Sequence, residues 1–238
     1  MRKLVNAGKY LTIWGRFAEI QPSAGAIGAA MIYLPVTGLL IGLVLALTNY
    51  GLTPYLPSEI LSITLLAVLI VLTGGLQLEA LRLTFDQVGV APAQAAWAEP
   101  RSNGTLGFIA VIMVLLFKAA ALDSIDQRIT VSLLLTPILA RWTLLLFVFG
   151  YQERCDEVTR VIAQQVKFWQ LLVATAGILA LTSYWLGRKG LWIALVLSVF
   201  SLATRNLLYR FQSVLTRHNF GAMVELAETL CLTLLASL

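Results

Sequence analysis

Long apolar runs separated by short polar segments dominate this chain of 238 residues. A run of about 17 to 25 apolar residues is long enough to cross a bilayer as a helix. Such runs predict seven transmembrane helices, at residues 25–47, 60–76, 107–122, 131–149, 168–186, 191–204 and 220–238. The sixth run is short for a span, so tilt, a break or a hairpin with the fifth run stay open, as does a count of six.

This pattern predicts an all-α fold: a polytopic bundle of transmembrane helices that forms a single domain over residues 1–238. Residues 1–20 carry charges throughout and place Tyr10 and Trp14 on one helical face. They predict an amphipathic helix that lies in the membrane interface. The segment 77–106 is the longest polar stretch between two runs and is predicted as a loop that bears the motifs described below.

Composition agrees with the membrane assignment and adds an orientation. The chain is 59% hydrophobic and 12% charged, with a mean hydropathy of +0.84 and a formal charge of +5. When the spans alternate, most Lys and Arg residues fall on the side of the N-terminus, which predicts a cytoplasmic N-terminus and cytoplasmic motif loops. The basic residues are therefore a topology signal and do not indicate nucleic-acid binding. The predicted location is a bacterial-type inner membrane or a thylakoid membrane, with the bilayer as the first partner.

Three charged residues follow the second apolar run at helical spacing. Glu79, Arg82 and Asp86 stand at i, i+3 and i+7, so a helix places them on one face, where opposite charges pair. Spacing alone leaves two interpretations open: a solvated, self-paired helix end, or a functional site. The preceding pair Gly74 and Gly75 allows a close helix approach or a break at the membrane boundary.

A second group of ionisable residues lies inside the predicted spans. Glu225 and Glu228 are one helical turn apart near the start of the last span, and carboxylates in hydrocarbon usually face a polar cavity or a cation. Lys118 and Arg141 lie within two other spans. If Lys118 shares a cavity with a carboxylate from another span, the pair predicts a binding site. The alternative is a lysine that snorkels to the interface.

The other reactive side chains predict little chemistry. Cys155 lies in a charged loop and Cys231 in an apolar run, which indicates neither a disulfide framework nor a metal site. His218 is the only histidine, and we expect it to be solvated. The sequence contains no nucleophile elbow and no nucleotide-binding glycine motif. Carboxylate sites for hard cations remain the enzymatic option.

At the charged positions the chain resembles the cobalamin synthase family, the membrane adenosylcobinamide-GDP ribazoletransferases. "TGGLQLEALRLTFDQ", residues 73–87, aligns without a gap with the family pattern T-G-G-x-H-x-D-G-x-x-D-x-x-D-G. Three further stretches are similar to family motifs: "PVTGLLIG" to P-x-x-G-x-x-x-G, "EPRSNGTLG" to D-S-R-x-G-x-x-G with one insertion, and "GAMVELAE" to G-A-x-x-E-L-x-E. The order and spacing of these motifs extend over most of the chain.

The resemblance implies an activity, a cofactor and a set of site residues. Members of the family join adenosylcobinamide-GDP to α-ribazole late in cobalamin biosynthesis, release GMP and use a divalent cation. By this resemblance Glu79, Asp86 and Glu99 are catalytic, with Glu79 and Asp86 as ligands of Mg²⁺. The corrinoid and nucleotide substrates are expected to contact Arg82, Arg101, Lys118, Arg141, Glu225 and Glu228.

The chain departs from the family pattern at the expected site. Gln77 stands in place of the histidine, Glu79 in place of an aspartate and Leu83 in place of the middle aspartate, whereas Asp86 is retained. Arg82 adds a cation to the same face, so the charge of this face falls from −3 in the family pattern to −1. A cation held by the remaining carboxylates is one hypothesis.

Direct contact of a diphosphate with Arg82 and Arg101 is another hypothesis, because an arginine binds phosphate oxygens through two parallel hydrogen bonds.

Two functions therefore remain open from the sequence. The first is an active, divergent ribazoletransferase. The second is a catalytically inactive pseudoenzyme that serves as a structural subunit or assembly factor of a membrane complex. A transporter is a third option, although the sequence shows no inverted repeat.

Overall fold

The computed structural model describes residues 7, 23–88, 104–125, 128–150, 155–212 and 214–237, and these residues form a bundle of α-helices. A 3₁₀ turn at Met31–Tyr33 joins the first two of them. Most of the predicted interfacial helix and the segment 89–103, with Glu99 and Arg101, lie outside the described residues. The helices are α1 Ala24–Ala30, α2 Leu34–Leu52, α3 Ser58–Thr73, α4 Leu76–Val88, α5 Thr105–Ser124, α6 Ile129–Val148, α7 Glu157–Gln164, α8 Phe168–Leu186, α9 Arg188–Phe211 and α10 Arg217–Ala236.

The helices confirm the predicted all-α membrane bundle. Within the described part of the chain, six helices are long and apolar enough to cross a membrane, and the bent pair of α3 and α4 makes a seventh candidate. The sixth predicted run differs from its expectation, because α9 is one continuous helix of 24 residues. At about 1.5 Å per residue it is about 36 Å long, enough for a complete span. The apolar run that predicted this helix is shorter than α9, because charged residues such as Lys189 and Arg205 lie near the two ends of the helix.

The centre of the bundle is formed by α6 and α10, which carry most of the large buried side chains. The outward faces of α5, α8 and α9 expose apolar side chains instead, as helices that face lipid do. Helix α2 approaches α6 closely through Gly38 and Gly42. A β-carbon at Gly42 would lie 2.7 Å from the backbone oxygen of Leu133. The "PVTGLLIG" stretch is therefore a small-residue contact between two helices.

A sharp elbow separates α3 from α4. Gly74 and Gly75 have positive φ angles of 63° and 67°, a conformation that favours glycine, and the two helix axes differ by 85°. The amide of Gly75 donates to the carbonyl of Ile70 in the last turn of α3. The carbonyl of Gly75 accepts from the amide of Glu79 in the first turn of α4. The first half of the predicted loop 77–106 is thus a helix that packs on α5 and α10 inside the bundle.

Candidate functional site

Three helices bring four ionisable side chains together inside the bundle. Lys118 of α5 donates from Nζ to Oε1 of Glu225 at 2.5 Å and to Oε2 of Glu228 at 2.8 Å. Arg141 of α6 donates from Nη1 to Oε1 of Glu228 at 2.9 Å and to the carbonyl of Pro137 at 3.0 Å. All four side chains are at least 95% buried. The structure therefore unites residues that are far apart in sequence and that were predicted to contact substrate.

Gln77 closes this arrangement, although the sequence marked it only as a departure from the family histidine. The two neighbours assign the orientation of its side-chain amide: the nitrogen then donates to Oε2 of Glu225 at 3.2 Å, and the oxygen accepts from Nη2 of Arg141 at 3.1 Å. Gln77 is 1% exposed and lies in the first turn of α4, directly after the elbow. We call the five residues Gln77, Lys118, Arg141, Glu225 and Glu228 the closed network.

Helical spacing held a signal for the role of Gln77. Together with Ala80, Leu81 and Thr84 it occupies positions i, i+3, i+4 and i+7, and all four are buried. The helix thus has an inner face that begins with Gln77 and an opposite, outer face with Glu79. A polar side chain on a buried helix face requires a hydrogen-bond partner.

Charge is balanced within the closed network. With Lys118 and Arg141 at +1 each and Glu225 and Glu228 at −1 each, the formal sum is zero. Each of the four carboxylate oxygens has a hydrogen-bond donor in the network. Since an unpaired charge inside a protein or a bilayer is costly, this balance explains how four ionisable groups are buried together.

The outer face of α4 carries a second polar cluster, which connects α4 to the start of α5. The Asp86 carboxylate accepts from the backbone amide of Gly107 at 2.9 Å through Oδ1 and from Nη1 of Arg82 at 3.0 Å through Oδ2. Gly107 lies in the first turn of α5, where backbone amides have no partner within the helix. Asp86 therefore acts as an N-terminal cap for α5, supplied by another helix.

Two glycines of the "EPRSNGTLG" stretch allow this contact. Gly104 precedes α5 with a φ of 65°, in the left-handed region. Gly107 touches α4 so closely that a β-carbon there would lie 2.6 Å from Oδ1 of Asp86 and 2.7 Å from Cγ of Arg82. The glycine spacing in this stretch thus serves the junction between α4 and α5.

The Mg²⁺ site predicted at Glu79 and Asp86 stays a prediction, because the described residues show only the spacing of these two side chains. Glu79 and Asp86 are seven residues apart, about 10 Å along the helix axis. Two oxygens bound to one Mg²⁺ are about 3 to 4 Å apart, so both side chains would have to lean towards each other over Leu83. Asp86 instead points to α5, and no group of three potential ligands occurs in the described part of the chain. Glu99 lies outside it, so its role as a ligand stays a prediction.

Glu79 points away from the closed network. It is exposed on the outer face of α4 and interacts electrostatically with His218, as does Asp156. His218 is partly buried in the first turn of α10, whereas the sequence predicted a solvated histidine. The structure thus separates the residues predicted for the site into a buried group and a group on the outer face of α4.

The two cysteines are free thiols that lie in different parts of the bundle. Cys155 forms an isolated parallel bridge with Leu215, and Cys231 is a buried residue of α10. The Sγ atom of Cys231 accepts a hydrogen bond of 3.7 Å from Thr136. Neither thiol takes part in the polar contacts of the two clusters described above.

Comparison with known proteins identifies relatives along nearly the whole chain. The sequence model of the Cobalamin-5-phosphate synthase family matches residues 4–236. A protein of Geotalea daltonii named adenosylcobinamide-GDP ribazoletransferase is 27% identical over 218 residues, which cover 89% of this chain and 87% of that protein. A protein of the same name from Pseudomonas entomophila is 30% identical over 237 residues, 91% of each chain. No solved structure matches this chain.

Proposed function

We propose that this chain, which belongs to the Cobalamin-5-phosphate synthase family, is a membrane ribazoletransferase that joins adenosylcobinamide-GDP to α-ribazole with release of GMP. The observation that carries the proposal is the family match over residues 4–236, together with relatives of that name that align over about nine tenths of both chains. The lipid bilayer and the corrinoid and nucleotide substrates are then the partners of the protein.

The proposed reaction is a phosphoryl transfer with a simple balance of bonds. A hydroxyl group of α-ribazole forms a new P–O bond to the phosphate that remains on the corrinoid. The P–O bond of the diphosphate breaks, GMP leaves with the bond's electron pair, and the hydroxyl proton is released. Catalysis of this kind depends mainly on positioning and on stabilisation of negative charge.

In the proposed reaction Arg82 contacts the diphosphate. Its side chain is 37% exposed on the outer face of α4, and the guanidinium retains donors besides the one directed to Asp86. Arg101, in the following segment, is the proposed second contact. Bidentate contacts from two arginines would stabilise the negative charge of the diphosphate as its P–O bond breaks and GMP leaves.

The alternative of a catalytically inactive subunit of a membrane complex has no observation in its favour. The relatives described above all carry the name of an enzyme. The ion pair with Asp86 leaves part of the Arg82 side chain exposed, so Arg82 can still contact a substrate in the proposed reaction.

The test is an assay of GMP release by the purified protein in detergent. Adenosylcobinamide-GDP and α-ribazole are supplied with and without Mg²⁺, and the corrinoid product is measured in parallel. We expect GMP and product to form in equal amounts, and we expect Arg82→Ala to lower kcat/KM by about 10-fold or more through loss of a charged hydrogen bond. Arg188→Ala, which changes an exposed arginine at the start of α9, is the control and retains activity. Absence of GMP release from correctly folded protein in every condition refutes the proposed function.

A further inference from the structure

We infer that the closed network is a positioning device that fixes α4 within the bundle and does not itself contact the substrates. This inference rests on the proposed function, since it concerns how the outer face of α4 is presented to the diphosphate. It replaces the expectation that Lys118, Arg141, Glu225 and Glu228 bind substrate.

Burial and partner saturation are the first evidence for this role. The five residues are between 0% and 4% exposed, and every carboxylate oxygen among them accepts from a side chain of the network. A residue that binds a charged substrate requires an approach route and a charge that the protein has not already compensated. In the closed network the two positive charges are compensated by the two negative charges, and all five side chains are buried.

The place of Gln77 is the second evidence. It lies two residues after the elbow glycines, where α3 ends and the chain turns by 85°. Because the turn interrupts the helix, the backbone hydrogen bonds of α3 do not fix the direction of α4. The two hydrogen bonds of Gln77, to α6 and to α10, supply this direction at the first turn of α4.

The position of the first turn of α4 also sets the position of Arg82 on the outer face, because the helix is rigid. Arg82 follows Gln77 by five residues, about 7.5 Å along the axis and on the opposite face. A shift or rotation of the first turn of α4 therefore displaces the guanidinium by a similar distance. Misplacement of a group that contacts the reacting atoms by about 1 Å costs up to about 100-fold in rate.

An exchange of amide and carboxylate across one hydrogen bond tests the inference. Gln77→Glu places two carboxylates against each other and gives the network a charge of −1, whereas Glu225→Gln gives it +1. The double variant Gln77→Glu with Glu225→Gln restores the sum to zero. In it, the new amide on α10 would donate to the new carboxylate on α4 and accept from Lys118, and that carboxylate would accept from Arg141. Each group then retains a partner.

We expect each single variant to unfold at a temperature at least about 5 °C below that of the parent. We also expect kcat to fall by about 10-fold or more, with little change in KM for adenosylcobinamide-GDP. The double variant recovers both the unfolding temperature and kcat. Thr136→Val is the matched control, a buried change between α6 and α10 that leaves the network charges in place, and it retains the parent kcat.

Two results would overturn the inference. A double variant that regains the parent unfolding temperature but stays inactive would show that the Glu225 carboxylate contacts substrate. Single variants that unfold like the parent would show that charge balance in the network does not hold α4. If the parent itself releases no GMP, the proposed function fails, and the unfolding temperatures of the three variants still decide whether the network holds α4.

Discussion

Asp86 uses both carboxylate oxygens on protein partners, and the two contacts differ in value. The contact with the Gly107 amide is buried, whereas the partner in the ion pair, Arg82, is about one third exposed. An exposed ion pair contributes about 0 to 1 kcal/mol, and a buried amide left without an acceptor costs about 1 to 3 kcal/mol. The contribution of Asp86 to the free energy of unfolding therefore depends more on the oxygen that accepts from Gly107 than on the charge of the carboxylate.

We predict that Asp86→Asn keeps most of the stability of the parent, because the asparagine oxygen can still accept from Gly107. Asp86→Ala removes the acceptor and lowers the free energy of unfolding by about 1 to 3 kcal/mol. Thermal unfolding of the purified variants measures the difference, with the exposed Gln87→Ala as the control. Equal losses for Asn and Ala would contradict a capping role and favour a role for the charge itself.

Helix α2 shows how one element depends on glycine at some positions and not at others. Gly42 faces the α6 backbone, and a β-carbon there would be 2.7 Å from the Leu133 oxygen and 2.9 Å from Cα of Leu134. Gly51 lies on the same helix with no atom within 4 Å of a β-carbon. The two glycines thus form a natural pair for comparison.

We predict opposite effects for alanine at these two positions. Gly42→Ala forces α2 and α6 apart and lowers the free energy of unfolding by about 1 to 3 kcal/mol, because backbone atoms cannot move aside as a side chain can. Gly51→Ala is neutral or stabilising by up to about 1 kcal/mol, because alanine favours the helical conformation. Unfolding of both variants in the same detergent provides the comparison, and a larger loss at Gly51 would disprove the close contact.

At the scale of the whole molecule, the distribution of basic residues predicts an orientation in the bilayer. The predicted cytoplasmic N-terminus places the turn between α2 and α3 outside and the end of α9 inside. Tyr55 is 80% exposed in that turn, and Arg210 is exposed in the last turn of α9. Both native cysteines are buried, which gives a low background for thiol labelling.

We predict that Tyr55→Cys reacts with a membrane-impermeant maleimide in intact cells, whereas Arg210→Cys reacts only after the membrane is opened. The parent chain, which carries only the buried thiols, is the control and stays unlabelled. The reverse pattern would show that the N-terminus lies outside and that basic residues mark the opposite side in this protein.

The helices were predictable because each transmembrane span must satisfy its backbone hydrogen bonds within itself and cover them with apolar side chains. That requirement acts over about 20 consecutive residues, so a local pattern suffices, and the span 168–186 agrees with α8 at both ends. The pattern was weakest at α9, where charged residues near both ends of a long helix resemble the polar segments that separate spans.

The site was predictable only in part. Their location inside predicted spans singled out Lys118, Arg141, Glu225 and Glu228, and the structure brings these four side chains together. Their mutual pairing could not be derived, since it joins residues that are 87 to 110 positions apart.

The sequence by itself determined that this chain is a helical membrane protein with unusual charges near α4 and inside several spans, because hydropathy and helical spacing are local properties. Only the tertiary structure decided what these charges do. The elbow at Gly74 and Gly75 turns Gln77 into the bundle and leaves Arg82 at its surface. Whether a charged side chain is compensated depends on which helices meet around it, and this is a property of packing that no local pattern carries.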